Sequence, residues 1–190
     1  MRLTKRSYKR AAVLCAALAA FVSGTTLIST AATAPGTLNV SATVVSNCSL
    51  TTTAVAFGNY DPSAALANQT AGAITVTCTK GQVITNIALA GGQNQAGTQR
   101  NMKNGGNTLP YSLFQPVLTG GAYTCAGAYT TPTSWGDGSG LGPIFVPTVG
   151  TTPGPAPGFS FPVCGQINPG ISVPSFATAY TDVVAATLTF

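Results

Sequence analysis

Glycine, proline and asparagine interrupt this chain so often that it leaves room for short strands and little else. With 22 glycines and 13 prolines in 190 residues, turn clusters recur about every ten residues beyond the first 35, the spacing of a β-sandwich or barrel. No segment in that part shows a helical apolar period, whereas several alternate with period two. Residues 37–44, T-L-N-V-S-A-T-V, put Leu38, Val40, Ala42 and Val44 on one face and Thr37, Asn39, Ser41 and Thr43 on the other, since successive side chains of a strand point to opposite faces. Ile74, Val76 and Cys78 alternate with Thr75, Thr77 and Thr79. Residues 83–90 form a β-branched run, Leu109, Tyr111 and Leu113 alternate around Pro110, and residues 179–190 close the chain as a strand. Pro110 suggests a strand edge or start. Residues 64–70 read as a surface loop, 143–162 as a stiff proline-rich loop and 166–173 as a turn-rich link. The expectation is one all-β domain.

Residues 1–34 read as an export signal. Arg2, Lys5, Arg6, Lys9 and Arg10 precede an apolar run, residues 11–22, and the small-residue stretch S-T-A-A-T-A ends at Ala34. That is the layout of a secretory signal peptide, with cleavage expected between about residues 31 and 35. The run is shorter than the ~20 apolar residues of a membrane span. Residues 35–190 are then the domain, with 36–46 as its N-terminal strand region.

Removing the signal removes the formal charge of +5. Lys80, Arg100 and Lys103 balance Asp61, Asp137 and Asp182, so the basic pI belongs to the signal. Nucleic-acid binding, which needs a concentrated basic surface, is not expected. A surface so poor in charge suits a chain held in an assembly. The cysteines left are Cys48, Cys78, Cys125 and Cys164. An even count in an exported protein implies disulfides, and four cysteines allow three pairings. Local loops are the least demanding choice, which favours Cys48–Cys78 with Cys125–Cys164. Metal binding is disfavoured by the lack of histidine and of C-x-x-C spacing.

Enzyme chemistry has little to work with. The chain has no His and no Glu, and its three Asp residues are far apart in sequence. Asp61, before Pro62, and Asp137, between glycines, read as turn-formers rather than as a glycosidase carboxylate pair. Neither a catalytic site, a cofactor nor a small-molecule substrate is expected. Lys80, Arg100 and Lys103 read as solvated charges. Trp135, with Tyr123 and Tyr129, reads first as core filling, and second as a platform that could stack a sugar ring.

Several phrases in order resemble one family. They are Cys48 after an alternating strand, F-G-N-Y-D-P at 57–62, G-A-I-T-V-T-C-T at 72–79, R-N-M at 100–102, L-P-Y-S-L-F at 109–114, W-G-D-G at 135–138, G-Q-I-N-P-G at 165–170 and A-Y-T-D-V-V-A-A-T-L-T-F at 179–190. The set resembles the spore coat protein U domain, the fold of subunits in archaic chaperone–usher pili. The resemblance implies an incomplete immunoglobulin-like β-sandwich lacking its last strand. A periplasmic chaperone would lend a strand, and at the outer-membrane usher the N-terminal strand of a neighbouring pilus subunit would replace it. Leu38, Val40, Ala42 and Val44 then resemble the donor face. Val184, Ala186, Leu188 and Phe190 resemble the strand edging the acceptor groove. Cys48 and Cys78 match the family's disulfide. Cys125 and Cys164 suggest an extra bridge fastening the Trp135 loop.

Burial of the four donor side chains would contribute about 5–9 kcal/mol as an upper figure, against a domain stability of about 5–15 kcal/mol. A chain lacking that contribution should need a strand from elsewhere. The functional expectation is a structural subunit of an exported surface fibre, reached through the periplasm and serving adhesion or biofilm formation. Two alternatives stand beside it. One is a self-completed spore-coat or cell-surface protein of the same fold; the other is a secreted carbohydrate-binding module using Trp135.

Overall fold

The computed structural model describes residues 32–148, 158–175 and 178–190. Residues 1–31 of the expected export signal and residues 149–157 of the proline-rich stretch lie outside the described residues. The chain divides into two compact units, Met1–Ala42 and Thr43–Phe190. In the first, the described residues 32–42 form no helix or strand, and all are exposed.

The second unit is built of β-strands: β1 (Cys48–Thr53), β2 (Asn68–Cys78), β3 (Asn86–Leu89), β4 (Arg100–Asn104), β5 (Asn107–Phe114), β6 (Val117–Thr119), β7 (Ala122–Thr124), β8 (Phe159–Ile167) and β9 (Ala186–Thr189). One layer is a five-stranded antiparallel sheet in the order β1-β2-β8-β5-β4. Facing it across the core is the pair β3-β9, extended by a bridge from Ile87 to Phe145. Alternation in β2 turns Ile74, Val76 and Cys78 inward, with the threonines between them only half-buried. β8 adds Phe161, Val163 and Ile167; β5 adds Leu109, Tyr111 and Leu113. Phe145 packs its ring 5.0 Å from that of Trp135 and 5.5 Å from that of Phe161, in the tilted and edge-on arrangements aromatic pairs prefer. Cys48 faces Cys78 across the β1–β2 ladder and is bonded to it. Cys125–Cys164 ties the segment after β7 to β8.

The fold corrects four details of the sequence reading. The stretch read as a loop at 64–70 already pairs from Asn68, opposite Ile167. Pro162 lies inside the central strand β8 rather than in a loop. It is tolerated because β5 pairs with β8 only from Cys164 to Gln166, so the proline's missing N–H deprives no β5 partner. Part of the expected link at 166–173 likewise belongs to β8, which runs to Ile167. The closing strand is shorter than residues 179–190: β9 covers Ala186–Thr189, preceded by a bridge at Thr181.

Candidate functional site

One apolar groove runs between the two layers. Its first wall is the segment after β1, where Val55 and Phe57 stand half-buried. Its second wall is the segment leading into β9, residues 180–186. The floor carries Ile74, Leu89, Leu113 and Val163. A cavity of about 450 Å³ occupies one half, and one of about 670 Å³, reaching Pro62 and Val173, the other. Both are lined by Val55, Phe57, Met102 and Tyr180, so the halves adjoin at those side chains. The first wall sits close because Gly165 leaves room: a Cβ there would lie 2.4 Å from Val55 Cγ1 and 2.9 Å from Phe57 Cζ.

The groove is open because each wall continues an edge strand. β1 ends its sheet, with β2 as its neighbour. On the other wall, the carbonyls of Thr181, Val183, Ala185 and Thr189 accept from Lys103, Gln93, Ala90 and Thr85. These odd-numbered residues turn their backbone groups towards β3 and β4. Backbone direction alternates along a strand, so Val184, Ala186 and Leu188 present theirs to the open edge. An edge of this kind is a template for one more strand.

Each residue singled out from the sequence has a definite place. Val184 and Ala186 line the groove. Leu188 is half-buried against the core, and Phe190 is 46 % exposed, beyond the groove lining. Leu38, Val40 and Val44 are 88 %, 85 % and 84 % exposed, and Ala42 is exposed as well. Residues 32–47 form no strand. An alternating apolar face left exposed is an unusual use of four such side chains.

Asp61 and Asp137 serve turns, each accepting from the backbone N–H and the hydroxyl of the serine two residues on. Those hydroxyl and backbone donors hold both carboxyls below the usual carboxylate range.

Two readings of single residues are overturned. Trp135 is wholly buried, and its indole N–H donates to the Ile87 carbonyl at 2.9 Å. It offers no face to a sugar, so the stacking platform is excluded at this residue. Tyr123 is buried in the same core against Phe145 and Phe161, and Tyr129 is half-buried with its hydroxyl donating to the Thr70 carbonyl. Arg100 is not a solvated charge but is 4 % exposed, while Lys80 and Lys103 are exposed. Its guanidinium donates to the carbonyls of Leu89, Ala90 and Trp135 at 2.8–3.0 Å. Burial lowers its pKa, while the nearby Tyr111, Asp137 and Asp182 act in the opposite direction. Those carbonyls make burial tolerable, since a buried charge must be hydrogen-bonded.

Sequence reading also passed over the first wall and the floor. Val55 and Phe57 sit in a stretch without strand alternation, and their role appears only when Gly165 of β8 is brought beneath them.

Residues 34–187 match the family model described as the Spore Coat Protein U domain. Among solved structures, the chain is similar to one from the CsuC–CsuE chaperone–tip adhesion subunit pre-assembly complex of the archaic chaperone–usher Csu pili of Acinetobacter baumannii. The similarity has a TM-score of 0.51 at 20 % identity and covers 78 % of this chain and 40 % of that one. At that identity it establishes the shared immunoglobulin-like fold. No curated protein matches by sequence.

Proposed function

This chain belongs to the Spore Coat Protein U domain family, and from that premise we propose that it is a structural, non-enzymatic subunit of a surface fibre assembled by donor-strand exchange. The groove between residues 52–57 and 180–186 receives residues 37–44 of a second copy or of a related subunit. Leu38, Val40, Ala42 and Val44 are its inward face. Before assembly a periplasmic chaperone fills the same groove with a strand of its own, and an outer-membrane usher is the place of exchange. The product is an extracellular fibre of the archaic chaperone–usher type, serving adhesion or biofilm formation.

One observation carries this reading: the same chain has an apolar groove edged by open backbone groups and an exposed, uncharged segment with the alternation that would fill it. A strand added to a sheet edge gains main-chain hydrogen bonds and places alternate side chains in pockets. A head-to-tail contact between unlike surfaces that does not close into a ring produces a filament. The likeness to a chain from a pilus chaperone–subunit complex supports the same fold use.

Deleting residues 37–44 is the test. The deleted chain should still be captured by a chaperone yet form no homopolymer, and it should still accept the segment from an intact copy. Fibres assembled from the deleted chain alone would refute the reading. So would a deleted chain that simply unfolds while the intact one stays a folded monomer.

A further inference from the structure

A groove wall without a neighbour on one side keeps its line only through what holds it from the other. Between β9 and the preceding loop that hold is thin. Thr181 exchanges two backbone hydrogen bonds with Lys103 (2.8 and 3.1 Å), and Gln93 and Ala90 each donate one to the wall. Asp182 lies in the middle of this stretch and lines the groove. Its Oδ2 accepts from the Tyr111 hydroxyl at 2.6 Å. Its Oδ1 accepts from both the backbone N–H and the Nδ2 of Asn94 at 3.1 Å, and the same Nδ2 donates to the Thr181 carbonyl. Gly92 completes the socket. With φ +88° and a Cβ position only 2.0 Å from Oδ2, it leaves space that a side chain would take.

We infer that Asp182 is the positioning residue for strand capture: its carboxylate, seated against Gly92, Asn94 and Tyr111, keeps the free wall extended while the groove is empty. The inference rests on the groove reading above. Through this one carboxylate the wall is tied to two other segments, floor strand β5 and the loop after β3. Burial, with the hydrogen bond to Asp182, pushes the Tyr111 phenol upward, so it remains a donor across the working pH range. An incoming strand would bond the open backbone groups of Val184 and Ala186, and those groups form a row only if the wall is held straight. Once the strand is in, it holds the wall from the groove side, and the clasp matters less. A merely structural carboxylate would instead stabilise the empty and filled forms alike.

The experiment uses the chain without its signal and a fluorescent synthetic peptide of residues 37–44, following capture and then thermal unfolding of the filled form. Asp182→Asn should slow capture about tenfold, the scale of a lost charge-assisted hydrogen bond, and Tyr111→Phe should slow it less. Both peptide-filled variants should unfold close to the native filled form. Tyr111→Phe deletes one hydroxyl and keeps the ring beside Phe57, so it carries the test alone should Asp182→Asn fail to fold. Unchanged capture, or filled forms destabilised as much as empty ones, would overturn the role of Asp182. A native chain that captures no peptide would overturn the groove reading and this inference together.

Discussion

The two layers of the sandwich differ in how completely the chain finishes them. In the five-stranded layer, β2 and β8 have strands on both sides, and β1 is bonded to β2 through Cys48–Cys78 as well as along its ladder. In the β3–β9 layer the last strand has its neighbours on one side, and the wall before it depends on side-chain clasps such as Asp182. The finished layer makes the domain a folded object. On the proposed reading, the unfinished one is where a strand from another chain would enter.

That contrast can be broken from the finished side first. Trp135→Ala should cost about 3–5 kcal/mol, read as a lowered denaturant midpoint, because it empties a fully buried aromatic site and leaves the Ile87 carbonyl with the Phe145 N–H as its remaining donor. Opening Cys125–Cys164 with a pair of serines should cost about 4 kcal/mol in the chain-entropy account of a 39-residue separation. Thermal unfolding with and without reductant checks it. Arg100→Met should cost about 2–3 kcal/mol, since the carbonyls of Leu89, Ala90 and Trp135 lose their donors. The smallest effect on the isolated chain sharpens the contrast from the other side. Val40→Ser should change its stability by no more than about 0.5 kcal/mol, as suits an exposed position. The same substitution should nevertheless weaken assembly, measured as fibre yield by sedimentation. A Val40→Ser chain that unfolds easily by itself would place residue 40 in its own core.

The sequence disclosed what is local. Thr and apolar residues alternating at 74–79 describe a half-buried strand, and β2 is one. The turn cluster at 104–107 joins β4 to β5. What it concealed depends on distant partners. Arg100 is buried by three carbonyls contributed from two other segments, and nothing within its own tetrapeptide signals that. Pro162 looks like a strand breaker until the register shows where β5 stops pairing. The groove was legible by half. The β-branched closing segment was legible as a strand and its place at a groove came from the family resemblance, whereas Val55 and Phe57 have no pattern of their own and are placed by Gly165 beneath them. Nothing in the sequence around Asp182 announces its clasp, because its partners lie 71 and 88 residues away.

The most direct measurement moves residues 37–44 to the other end of the chain, after Phe190, through a short flexible linker, with the original segment deleted. If the groove is made for that segment, the fused chain should be a monomer that neither gives nor accepts a strand. Its unfolding free energy should rise by up to about 5–9 kcal/mol over the deleted chain. A fused chain no more stable than the deleted one, or one that still assembles, would contradict the account.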